Sequence, residues 1–340
     1  MEIIRKINRE IIHFAENDIL ISSKYRKVFY NDGLTERQII LPEKNIIKRF
    51  LGLFRLSRRL FRLDKCNVFY HRKNLVIIRQ GVTYFYDYNQ ENLIKTLTLR
   101  NCRNVMHQSI NSTPEGYIYF GEYGANNGRT TVPVYRSVDG GRSWEEIFTF
   151  PEKSIKHIHG CYYDQYTNKI WVCTGDFKDE SWIIVANKDF SEVKKIGDGQ
   201  QKYRTCSILF TKEKVHWLMD SPLEPSHHII FDRKTETIEI GQKLMGPAWY
   251  TKKLNDNLYL ASTTREIGPG VLDNNAHLYF SKDLKKWESI KQFEKDSLTM
   301  KYFKFGIIGF ADGQQSQDGV YLFFEALKGL DGKSVLCTLS

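Results

Sequence analysis

The sequence predicts an all-β chain built from repeated four-stranded units, with one helical interruption. Three observations predict it. Short apolar and aromatic runs recur, Gly, Asn and Asp turns separate them, and one turn signature returns at a fixed phase of the repeat. The runs at 117–120, 169–172, 215–218, 258–260 and 320–324 each carry an aromatic residue near the start, and they begin roughly 45–60 residues apart. That interval holds four strands and their turns, the unit of a β-propeller blade.

The units can be set out in order. They run over 66–100, 103–150, 155–197, 203–244 and 246–293, and the stretch 303–340 supplies only about three strands. Strand-like pieces at 19–22, 27–30 and 38–41 can complete it, closing the ring with strands from both termini and leaving no open sheet edge. This layout predicts six blades, or seven if the N-terminal pieces form a blade of their own. The whole chain, 1–340, is expected to be one propeller domain.

Residues 43–63 interrupt the pattern. Ile46, Phe50, Leu53, Phe54, Leu60 and Phe61 recur at spacings of three, four and seven, and Lys and Arg fill much of the remainder. This spacing predicts a short basic amphipathic helix, weakest at Gly52. Two placements are open: packing on the propeller with the basic face in water, or adsorption to an anionic membrane surface through 44–63.

Composition narrows the rest. The 41% apolar fraction excludes a disordered chain, and 23 Gly with 8 Pro exclude collagen-like or proline-rich ones. No run of about 18 apolar residues occurs, so no spanning helix is expected. Residues 1–6 lack the apolar core of a secretory leader. The six Cys are scattered without a Cys-x-x-Cys pair and read as reduced thiols. A cytoplasmic location is expected, or one peripheral to the inner membrane face. The net charge of +10 points to an anionic partner. Nucleic acid is not expected, since no recognition module or stacking motif is present.

The sharpest motif is Ser137-Val-Asp139-Gly-Gly141-Arg-Ser-Trp144. Gly140 and Gly141 can take positive φ in a tight turn, Asp139 can accept backbone N–H bonds, and Trp144 can pack between blades. A degenerate copy, Ser281-Lys-Asp283-Leu-Lys-Lys-Trp287, lacks the Gly, and Asn187-Lys-Asp189-Phe190 is fainter. All three follow the third strand of their units. The pattern resembles the sialidase-like Asp-box (BNR-repeat) β-propeller superfamily over about 100–293. That resemblance implies a propeller, often a glycan ligand, and a structural role for the boxes on the outer hairpins. Segments 121–124, 156–160, 174–176, 201–204 and 262–264 also resemble glycosyl hydrolase-like BNR proteins linked to bacterial exopolysaccharide or capsule production.

In such a fold, second-to-third-strand loops and interblade connections open on one face. Sorting polar residues by loop collects Glu122, His157, His159, Asp176 and Glu266 as catalytic candidates. Tyr123, Asn126, Glu180, Gln201, Tyr203, Arg204, Asp220 and Arg265 are substrate-binding candidates. His157 and His159, two apart on a strand, point the same way. No metal site and no cofactor are expected. The expected partner is an acidic oligo- or polysaccharide, processed by a glycosidase-like carboxylate pair. A lyase using His, Tyr and Arg, or a non-catalytic glycan-binding or assembly protein, is the alternative.

Overall fold

The computed structural model describes residues 1–339. Among them the strands pair into seven four-stranded antiparallel sheets, and the fold is a seven-bladed β-propeller. Six sheets take their strands in chain order, over 11–40, 67–98, 111–150, 157–199, 208–243 and 248–294. The seventh comprises Ile307–Phe310, Val320–Glu325 and Lys333–Thr338, with Glu2–Ile7 paired outside the last of these.

The expected six blades are therefore corrected to seven. The pieces at 19–22, 27–30 and 38–41 do not complete the last stretch. With Ile11–Glu16 they form a separate blade, and the completing strand is Glu2–Ile7. The reason is physical. Glu2–Ile7 is an edge strand with largely exposed side chains and a register shift between Ile3 and Arg5, so it needs backbone pairing more than an alternating apolar pattern.

The chain divides into two compact units. The unit 67–249 holds four blades. Its core lies between consecutive sheets: Val76 and Ile78 meet Ile118 and Phe120, Val132 and Val134 meet Ile158 and Val172, and Trp171 and Cys173 meet Val215 and Trp217. Each such fully buried large side chain contributes roughly 1.5–3 kcal/mol. The turn after strand Val132–Ser137 is knit by its own residues. Ser137 Oγ donates to Asp139 Oδ1 at 2.8 Å and accepts from Gly141 N at 2.7 Å, while Ser143 N donates to Asp139 Oδ1 at 2.9 Å. Gly141 sits at φ +100° with Val76 against it, and Trp144 meets Phe120 edge-on at 4.8 Å.

The other unit, 1–66 with 250–340, holds the remaining three blades' strands and the helical segment. The turn after Asn275–Ser281 repeats the scheme more weakly. Lys285 N donates to Asp283 Oδ1 at 2.8 Å, Leu284 takes the positive φ, and Trp287 is buried. Residues 43–63 form two short helices, α1 (Ile46–Leu51) and α2 (Arg55–Phe61), separated at Gly52. In α2 the amphipathic sense is inverted, whereas α1 buries none of its residues. Arg58 and Arg59 are only 6% and 3% exposed, whereas Ile46 is 78% exposed. The arginines turn inward because distant parts of the chain supply acids. Arg58 pairs with Glu10, and Arg59 with Asp296 at 2.6 Å. All six Cys are free and buried.

Candidate functional site

The polar cluster of the 67–249 unit grows from strand His157–Asp164 and the segments beside it. The two-residue spacing places both histidines on one side, with their Nε2 atoms 3.1 Å apart. Asp176 follows strand Lys169–Gly175 and brings Oδ1 to 3.2 Å from His157 Nε2 and 3.3 Å from His159 Nε2. Gly175 makes this approach feasible, since a Cβ there would lie 2.9 Å from the His159 ring and 3.1 Å from the Arg204 side chain. Each imidazole is held from behind. His157 Nδ1 donates to Gly124 O at 2.7 Å, and His159 Nδ1 donates to Thr205 O at 3.0 Å, because a carbonyl can only accept.

Charges surround Asp176. Lys156 Nζ donates to its Oδ2 at 2.6 Å, and Arg204 Nη2 stands 3.1 Å from Oδ1. Burial opposes ionisation of Asp176, but hydrogen bonds from the imidazoles when Nε2 carries a proton, with the Arg204 charge, outweigh it and hold the carboxyl well below the usual range. Burial also depresses His157, against the pull of Asp176. Arg204 spans two acids, with Nε 3.2 Å from Asp220 Oδ2. Asp220 accepts in addition from Trp249 Nε1 at 2.9 Å and from the Cys206 thiol at 3.2 Å. Burial and the neighbouring Asp220 raise that thiol well above its ordinary value, so it remains a proton donor.

Tyr123 covers the histidines, its ring centre 4.2 Å from that of His157 and 5.9 Å from that of His159. Its phenol is pushed well up by burial and by the Asp176 charge. Beside it lies a half-exposed lip. The Phe177 ring has Lys156 Nζ at 5.4 Å and the Arg129 guanidinium carbon at 5.5 Å from its centre. Arg129 Nε donates to Glu180 Oε1 at 2.6 Å, and the buried Glu180 Oε2 has no hydrogen-bond partner.

Sequence sorting thus brings together Tyr123, His157, His159, Asp176, Arg204 and Asp220. Gln201 joins them by donating to Asp176 O at 3.0 Å. Glu122 has another duty. Its carboxylate accepts from Arg100 N at 2.7 Å, Asn101 N at 3.0 Å and the Tyr135 hydroxyl at 2.9 Å, holding the turn before its blade. Asn126 ties its own loop, donating to Thr130 O and Lys156 O, both at 3.0 Å. Tyr203 is a core residue against Trp217. Arg265 and Glu266 belong to the other unit, where Arg265 donates to Asn274 Oδ1 at 2.7 Å and Glu266 accepts from Thr264 Oγ1 at 2.7 Å. Sequence reasoning missed Lys156, Arg129 and Phe177. The signal available was adjacency, since Lys156 precedes His157 and Phe177 follows Asp176.

No family model and no curated protein matches the chain. Solved structures do. An extracellular domain from B. thetaiotaomicron superposes with TM-score 0.58 at 13% identity, over 99% of this chain and 39% of that one. YCF48 from Cyanidioschyzon merolae gives 0.56 at 10% identity over 98% of both chains. The tricorn protease gives 0.51 at 11%, over 98% of this chain and 36% of that one. The chain therefore spans well under half the length of two of these neighbours. At such identities the likeness shows the β-propeller fold alone.

Proposed function

We propose that the chain is a carbohydrate-active propeller that takes an acidic oligosaccharide across the Phe177 lip and onto the His157–His159–Asp176 floor. The observation that carries this reading is an exposed aromatic ring flanked by two cations. A sugar ring stacks on Phe177, and its carboxylates meet Arg129 and Lys156. The Asp-box resemblance of Ser137–Trp144 supports a glycan ligand as well. Calorimetric titration with an oligouronate and its neutral analogue tests it. Saturable binding of the acidic sugar alone, weakened at least tenfold by Phe177→Ala or Arg129→Ala, is expected. Equal binding of both sugars, or no loss in the variants, overturns it.

Glycosidase-like turnover is a second reading, favoured by the Glu180 oxygen that lacks a partner. Hydrolysis needs two carboxylates about 5–9.5 Å apart, and the pair proposed here is Asp176 with Glu180. New reducing ends support hydrolysis. Ultraviolet absorbance from an unsaturated uronate instead supports elimination, with C5–H removed, the C4–O bond broken and the leaving oxygen protonated.

An anionic membrane is the partner proposed for residues 44–63. Ile46, Ile47, Phe50, Leu53, Phe54 and Leu56 are exposed beside exposed Lys44, Lys48 and Arg49, so apolar insertion and charge attraction act on one surface. Among the described residues, no helix is long and apolar enough to cross a membrane. Flotation with phosphatidylglycerol vesicles is expected, with loss in Phe50→Ser/Phe54→Ser. Equal flotation of that variant, no flotation of the wild type, or a dimer that hides the patch overturns this assignment.

A further inference from the structure

We infer that His157, His159 and Asp176 form a divalent transition-metal site. Both Nδ1 atoms are committed as donors to carbonyl oxygens, at 2.7 and 3.0 Å. In the neutral rings both Nε2 atoms are then bare lone pairs. These two lone pairs and Asp176 Oδ1 form a triangle with edges of 3.1, 3.2 and 3.3 Å. Arg204 Nη2, 3.1 Å from Asp176 Oδ1, meets that oxygen alone, so the two Nε2 lone pairs still face each other at 3.1 Å and repel unless a proton or a cation stands between them. A single shared proton bridges one edge at a time, whereas a metal ion meets all three.

The dimensions agree with that occupant. Zinc lies about 2.0–2.1 Å from imidazole nitrogen and about 2.0–2.2 Å from carboxylate oxygen, which makes tetrahedral ligand–ligand edges of about 3.3 Å. Two imidazoles with one carboxylate suit zinc and neighbouring first-row ions, and leave further coordination positions open. The outer contacts are those such a site uses. Backbone carbonyls fix both imidazole tautomers, and Lys156 holds the second oxygen of Asp176 at 2.6 Å. A competing trio, His159, Cys206 and Asp220, also has its ligand atoms close together. It carries no comparable deficit, because the Cys206 thiol already donates to Asp220.

The site stands on these contacts whether or not the glycan reading holds. The 340-residue chain is stripped with chelator and titrated with Zn²⁺ alone by calorimetry, then with Co²⁺ alone by visible spectroscopy. One ion per chain is expected, with proton release and a cobalt spectrum of low coordination number. Affinity is expected to fall about 10–100-fold or more in His157→Gln, His159→Gln and Asp176→Asn. Folding of each variant is checked by near-ultraviolet circular dichroism, and any one that folds suffices. Absence of stoichiometric binding by folded wild-type protein overturns the site. So does unchanged affinity in the folded variants, or loss in Cys206→Ser alone, which would assign the ion to the other trio.

Discussion

Arg55 grips Asp331 with two donors, Nε at 3.0 Å and Nη2 at 2.8 Å, and its Nη1 reaches Asp64 at 2.7 Å. The contact ties α2 to residues 276 positions away. Lys304 completes the network, 3.0 Å from Asp64 and bonded to Glu325. Replacing Arg55 by Ala leaves acids desolvated without their partner. A loss of roughly 2–4 kcal/mol is expected in urea unfolding, less than the full buried-pair value because the guanidinium is partly exposed. The exposed Arg100–Glu146 pair is the control, where Arg100→Ala should cost under about 1 kcal/mol.

Gly141 holds a turn that tolerates no side chain. Its φ of +100° is strained for any residue with a Cβ, and that Cβ would lie 2.4 Å from Val76 Cγ2. Gly141→Ala should lower stability by roughly 2–4 kcal/mol. Asp139→Ala, which removes the acceptor of Ser143 N, should cost about 1 kcal/mol. Thermal melting of the two variants orders them, and the reverse order would contradict the steric account.

Glu122→Gln tests whether that acid is a tie. Three donors meet its two oxygens, so an amide NH2 must face at least one of them. A destabilisation of roughly 1–3 kcal/mol is expected, with faster hydrogen exchange at Arg100 and Asn101. Unchanged exchange at both amides would count against the tie.

Acid should weaken the fold through a second, unrelated histidine pair. His216 Nδ1 and His228 Nε2 lie 3.2 Å apart, and the rings stack at 5.3 Å. Burial pushes His216 down to about 4, with Lys214 adding to it, and burial with the His216 charge pushes His228 down to about 3. Both folded values lie below the unfolded value of 6.5. The unfolded chain therefore binds more protons between about pH 6.5 and 4, and stability must fall as pH falls through that window. Between pH 7 and pH 5 the drop is on the order of 4 kcal/mol for the pair, and His228→Phe should roughly halve it. Denaturant midpoints at pH 7 and pH 5 measure the slope.

Much of the fold was legible because strand spacing and turn chemistry are local. The 117–120 and 169–172 runs, the Asp139 turn and its two weaker copies all lie where the sequence placed them, after third strands. The blade count was legible only as an alternative, since six was expected and seven followed only if the N-terminal pieces formed their own blade. It depended on Glu2–Ile7, an exposed edge strand whose identity is set by a partner more than 300 residues away. The site was legible in part. His157 and His159 converge because a two-residue spacing on a strand is a local rule. Asp176, Arg204 and Asp220 met them because loops of neighbouring blades open together. Glu122 and Tyr203 share that loop class, yet one holds a turn and the other packs in the core.

The sequence by itself determined the repeat, the turns that punctuate it, and the pairing of His157 with His159, since each depends on residues a few positions apart. Only the tertiary structure decided which charges face inward. Residues 43–63 read as a basic amphipathic helix, either packed with its basic face in water or adsorbed to an anionic membrane, but Glu10, Asp64, Asp296 and Asp331 draw Arg55, Arg58 and Arg59 into the protein and leave the apolar side outside. Periodicity reports which residues share a face. Which face is buried depends on partners brought from elsewhere in the chain.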